Sequence, residues 1–127
     1  MADEIKHPYV DPTATLYAVI RDDSGQVWDP AAQVFETFGA GGHTNADYDI
    51  AMTDAGGGFF TADFDANIPE GSPGYWVTIY LQAGGSPADP PTDLPIGQQF
   101  IDWDGSAMRN YTQGTLRSLT VRHVQIE

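Results

Sequence analysis

Apolar side chains recur along this chain at every second position, in short bursts broken by turn residues. Residues 13–21 (TATLYAVIR) set Leu16, Ala18 and Ile20 on one face and stop at Asp22-Asp23-Ser24-Gly25. That alternation predicts a half-buried strand, and Ser24-Gly25 supplies the positive φ that a tight hairpin needs. Residues 26–29 then read as the returning strand. Residues 33–38 (QVFETF) alternate again and end in Gly39-Ala40-Gly41-Gly42. Residues 47–53 (DYDIAMT) oppose Tyr48, Ile50 and Met52 to Asp47, Asp49 and Ala51, which predicts a strand with one wet face. Residues 59–65 (FFTADFD) carry Phe60, Ala62 and Phe64 inward. Residues 75–82 (YWVTIYLQ) are apolar or aromatic on both faces, which predicts a central strand. Residues 96–103 follow as a strand. Residues 115–126 read as a last strand of less regular spacing, and a short helix is expected near residues 107–111.

The helical period fails nearly everywhere, because Gly or Pro interrupts it. Short strands at about ten-residue spacing point to an all-β fold, a two-sheet antiparallel sandwich of Ig-like or prealbumin-like Greek-key form. The chain divides into an extended N-terminal arm at 1–12, a β-sandwich at 13–105, and a C-terminal strand or docking tail at 106–127. Its 127 residues fit one domain, which buries about two-thirds of the surface of its unfolded chain.

Charge narrows the function. The chain carries 5 Lys+Arg against 18 Asp+Glu, a net charge of -13. Nucleic-acid binding needs cations facing phosphates, so that function is not expected, and neither is an anionic membrane surface. The charge is uneven. Residues 1–104 hold Lys6 and Arg21 as their cations, whereas Arg109, Arg117 and Arg122 follow with Glu127 the acid behind them. Such a cationic tail suits docking on its own acidic body or on a neighbouring copy. There is no cysteine, hence no disulfide, thiolate nucleophile or cysteine-based zinc site. The first residues, MADEIKHPYVDP, have no apolar stretch of the kind a signal peptide needs.

Catalytic motifs are missing. His7, His43 and His123 lie far apart in sequence. No Gly-x-Ser-x-Gly elbow occurs, and residues 39–42 lack the Lys-Ser/Thr of a phosphate loop. Asp47/Asp49 and Asp63/Asp65 each set two carboxylates on one strand face, about 7 Å apart, a glycosidase-like spacing; a solvated strand face is the plainer reading. Calcium is the ion the sequence suggests, with Asp22, Asp23, Asp102 and Asp104 offering oxygens beside turns. The same aspartates also suit side-chain turns. Trp28, Trp76 and Trp103 are candidates for a sugar-binding platform or for core, and Trp103 is placed in the core. Trp76 and Tyr80 are expected to face a partner. Asn110-Tyr111-Thr112 matches a glycosylation sequon.

Four segments together resemble a known type of protein: residues 15–29 (TLYAVIRDDSGQVWD), 47–54 (DYDIAMTD), 75–88 (YWVTIYLQAGGSPA) and 103–107 (WDGSA). They are similar to small β-sandwich proteins encoded among phage and prophage structural genes. The resemblance implies a non-catalytic virion component, a capsid decoration protein or a tail or fibre subunit, acting through other virion proteins and copies of itself. The expected partner-binding residues are Ile5, Pro8, Tyr9 and Val10 of the arm, Trp76 and Tyr80, and Arg117, Arg122, Val124 and Ile126 of the tail. The alternative is a carbohydrate-binding module.

Overall fold

The structure is a computed structural model that describes residues 3–71 and 73–109. Among the described residues nine strands run in chain order: β1 (Ile5–Pro8), β2 (Leu16–Arg21), β3 (Val27–Asp29), β4 (Val34–Glu36), β5 (Ile50–Ala51), β6 (Thr53–Asp54), β7 (Phe59–Ala62), β8 (Tyr75–Leu81) and β9 (Leu94–Ile101). A single helical turn, α1 (Asn45–Tyr48), precedes β5. The strands form a two-sheet, all-β sandwich with antiparallel pairing. One sheet has the order β1-β7-β6; the larger has β4-β3-β2-β8-β9, with β5 also paired to β2.

The period-two pattern explains the core. Leu16, Ala18 and Ile20 on β2 and Tyr75, Val77 and Ile79 on β8 point to one side of the larger sheet. There they pack in one cluster with Ile5, Phe60, Ala62 and Phe64 from the other side of the sandwich. Trp28 and Trp103 fill its ends, each with its indole N–H satisfied, by Asp65 Oδ2 at 3.0 Å and by the Ile68 carbonyl at 2.8 Å. That pairing is what lets an indole be buried without cost from its polar edge.

The sheets are tied at one corner by a side chain. Gln99 on β9 accepts from the Lys6 backbone N–H at 3.0 Å and donates to the Glu4 carbonyl at 2.9 Å. An amide thus imitates a strand neighbour for β1. Beside it the His7 ring lies so close over Gly97 that any Cβ there would collide with it.

Three expectations need correction. The described part of the expected extended arm, residues 3–12, does not stand apart from the sandwich. Ile5–Pro8 is a strand in register with β7, and Ile5 is fully buried. Burying one apolar residue and pairing four backbones outweighs the local Pro signals at positions 8 and 12. Residues 47–53 do not form one strand, because Thr44 starts α1. Thr44 accepts from the Ala46 N–H, and Asp47 returns to the Thr44 N–H at 2.9 Å, a capping box. The described part of residues 107–111 is not helical: Met108 forms a bridge to Trp103. The expected strand at 115–126 and the sequon lie outside the described residues.

Aspartates close the turns. Asp11, Asp22, Asp29, Asp54, Asp65 and Asp104 each accept from a backbone N–H two residues ahead. An Asx turn of this kind gives the otherwise unpaired N–H donors of the corner an acceptor. Much of the acidity of the chain is therefore turn chemistry.

Candidate functional site

The outer face of the larger sheet, turned away from the main core, carries the unusual features. One transverse row crosses all five main strands through directly opposed residues: Glu36, Val27, Arg21, Trp76 and Phe100. Opposed residues share a face and touch. One half of this face is covered and the other is open.

The cover is residues 37–49. Its Tyr48 packs on Tyr17, Val19, Val27 and Tyr80 of the sheet to form a second core, with Phe38 against it. Tyr17 and Tyr80 stack at 5.3 Å. Buried polar bonds fix the cover. The Asn45 amide donates to the Tyr17 hydroxyl at 3.0 Å and to the Ala88 carbonyl at 3.1 Å. The Tyr17 hydroxyl donates to Asp93 Oδ2 at 2.6 Å. Asp93, fully buried, also accepts from the N–H groups of Ala83 and Ala88. Burial pushes the Asp93 carboxyl up, but Tyr17 and the two backbone donors outweigh it, and the net shift is downward. Burial, then the Asp93 contact, pushes the Tyr17 hydroxyl well above its usual value.

At the covered end of the row lies a histidine between two carboxylates. His43 Nδ1 is 2.7 Å from Glu36 Oε2 and 3.6 Å from Asp29 Oδ2. The Tyr48 hydroxyl donates to the same Glu36 oxygen at 2.7 Å. The hydrogen bond to Glu36 raises the His43 pKa; partial desolvation opposes this, and the charges of Glu36, Asp47 and Asp29 add to the rise.

At the open end Trp76 and Phe100 meet edge-on, ring centres 4.8 Å apart, each 41% exposed. Beside them is a hollow of about 310 Å³ lined by Arg21, Asp22, Asp23, Gly25, Trp76 and Gln98. Arg21 lies over the Phe38 ring at 5.2 Å and so bridges cover and hollow. The rim is acidic on the side of the β2–β3 hairpin.

The expected partner-binding residues are dispersed. Trp76 is exposed, as that role needs. Val10 is 90% exposed and Pro8 is exposed, while Tyr9 is half-buried against the core. Ile5 and Tyr80 are buried, so neither reaches a partner. For Tyr80 the reason is its stack on the opposed Tyr17, together with the cover above it. Arg117, Arg122, Val124 and Ile126 lie outside the described residues. The calcium candidates do not converge. Asp22 and Asp104 cap their own turns, and Asp102 pairs with Arg109 at 2.6 Å. Asp23 stands on the hairpin rim. The acid pairs do not make a glycosidase site: Asp47 caps α1, and Asp65 holds Trp28 and Gln33. Trp28 is buried and cannot belong to a sugar platform.

Sequence reasoning missed the grouping of Asp29, Glu36 and His43, which sit seven residues apart in turn. No local motif announces it. The register of the β3–β4 hairpin creates it. Comparison with protein-family models, with curated proteins and with solved structures found no match.

Proposed function

We propose that this protein is a non-catalytic building block that self-assembles through the open half of the outer sheet face. The observation that carries the proposal is the pair Trp76 and Phe100, exposed side by side, with Trp76 lining an acidic-rimmed hollow. Aromatic anchors at the edge of a hollow are the groups that dominate protein interfaces. The occupant we propose is the C-terminal segment of a second copy. That segment carries Arg117 and Arg122 with the apolar Val124 and Ile126, against a body of strongly negative charge. Its arginines complement Asp22 and Asp23, and its apolar residues suit Trp76 and Phe100.

A contact between the face of one copy and the tail of the next is heterologous, so it generates rings or filaments. This supports a place in a virus particle as a decoration, tail or fibre subunit. The setting rests on the resemblance of residues 15–29, 47–54, 75–88 and 103–107 to phage structural sandwiches. Enzymatic activity is not part of the proposal, since neither acid pair is free to act on a substrate.

Light scattering on the full chain tests the reading. The expected result is a species larger than one chain, reduced to a monomer by Trp76→Ser and by Arg117→Glu with Arg122→Glu. A monomer at high concentration would overturn it. One observation favours carbohydrate as a second reading: Trp76 lies next to the polar groups Arg21, Asp22 and Gln98. Yet the two rings meet at 61° and do not form one flat platform for sugar rings. Retention of the monomer on a polysaccharide, lost in Trp76→Ser, would select that reading instead.

A further inference from the structure

We propose that Asp29, Glu36 and His43 form a binding site for a divalent transition-metal ion of the zinc class. The site is separate from the open face and does not depend on assembly.

The spacing suits such an ion. Zinc lies about 2.0–2.2 Å from nitrogen and carboxylate ligands, so neighbouring ligand atoms in a tetrahedron stand about 3.3–3.6 Å apart. Here Nδ1 is 2.7 Å from the Glu36 oxygen and 3.6 Å from the Asp29 oxygen, and the three ligand atoms lie within 4.8 Å of one another. A small outward shift of the His43 ring, with the Asp29 and Glu36 oxygens drawing together, brings the set to that geometry. That ring belongs to a half-exposed loop residue and is free to make it.

A second observation points to a cation. The Asp29 side chain is 4% exposed. Its Oδ1 is occupied by the N–H groups of Ala31 and Ala32. Its Oδ2 meets, among the described residues, only the His43 ring at 3.6 Å, which is beyond hydrogen-bond length. A carboxylate so largely withdrawn from water, with one oxygen turned toward a ligand nitrogen, is stabilised by a cation placed between them.

The surroundings complete the case. The Tyr48 hydroxyl bonds Glu36 and holds it as outer partners hold metal ligands. One imidazole nitrogen with two carboxylate oxygens favours zinc-like ions over calcium or magnesium, which take all-oxygen sets. Glu36 and His43 are 18% and 36% exposed, which leaves an entry path and room for a water as fourth ligand. Bound there, the ion would pin residues 37–49 to the β3–β4 hairpin. It would take the place of the proton that otherwise joins His43 to Glu36.

The test is isothermal titration of the metal-stripped full chain with zinc chloride, magnesium chloride and calcium chloride in turn. The expected result is one equivalent of zinc and no saturable binding of the other two. Glu36→Gln and His43→Gln should each weaken zinc by at least about tenfold, and Tyr48→Phe by about tenfold. His7→Gln should leave the affinity unchanged, since His7 lies on β1. Saturating zinc should also raise the melting temperature of the wild type and not of His43→Gln. His43→Gln changes a half-exposed loop residue, so it remains informative if Glu36→Gln fails to fold. No zinc binding, or binding retained in both Glu36→Gln and His43→Gln, would overturn the proposal.

Discussion

Asp93→Ala should be among the most damaging single substitutions in this protein. The carboxylate is fully buried and accepts from the Tyr17 hydroxyl at 2.6 Å, the Ala88 N–H at 2.8 Å and the Ala83 N–H at 2.9 Å. Alanine leaves the two N–H groups without an acceptor and the Tyr17 hydroxyl with only the long contact to the Ala88 carbonyl at 3.3 Å. Each unsatisfied buried donor costs about 1–3 kcal/mol. The backbone of residues 82–93 is at the surface in part and can admit water, so the lower end applies to the two N–H groups. The Tyr17 hydroxyl lies under the cover but keeps the Ala88 carbonyl, so the middle of the range applies there. The sum is about 4 kcal/mol, a large share of the 5–15 kcal/mol typical of a domain. Urea unfolding followed by tryptophan fluorescence reads it directly. A loss below about 1 kcal/mol would refute the reasoning, because it would mean that the buried network adds little to the fold.

Other consequences follow from the same geometry. The Asp93 carboxyl is held below its usual value, so the folded state binds fewer protons there than the unfolded chain. Its contribution is therefore full above about pH 4 and is lost as pH falls through the folded value. Accordingly the stability gap between wild type and Asp93→Asn should shrink in acid; a gap unchanged from neutral pH to about pH 3 would contradict this. Ile5→Ala should cost about 2–5 kcal/mol, because Ile5 is fully buried in the main core; a neutral effect in thermal unfolding would restore the free-arm reading. Asp22→Ala removes an exposed turn acceptor and should cost about 1 kcal/mol or less, with no change in any calcium titration.

The main core was legible because β2 and β7 keep period two: Leu16, Ala18, Ile20, Phe60, Ala62 and Phe64 all point inward as the pattern says. Position 103 was placed correctly for the same reason. The second core was not read, although its signal was present. Tyr17 and Val19 make β2 apolar on both faces, the same feature that marked residues 75–82 as central. A strand with two apolar faces needs a cover, and residues 37–49 provide it. The helical turn at α1 also had a signal, since Thr44 and Asp47 stand three apart as a capping pair, but the alternation of residues 47–53 masked it. β1 was hidden because its own pattern holds Lys6, His7 and Pro8; only pairing with β7 makes Ile5 a core residue. The Asp29–Glu36–His43 group had no sequence signal at all, since it depends on the register that sets Asp29 and Glu36 diagonally across the hairpin and on the loop that returns His43 to them.

Self-assembly by face and tail is tested most directly by complementation in sedimentation velocity. Trp76→Ser keeps the tail and spoils the face; Arg117→Glu with Arg122→Glu keeps the face and spoils the tail. Each variant alone should sediment as a monomer, and an equimolar mixture should contain a heterodimer that grows no further, because one intact face and one intact tail remain. A mixture that stays monomeric while the wild type assembles would contradict the account, as would a wild type that never leaves the monomer.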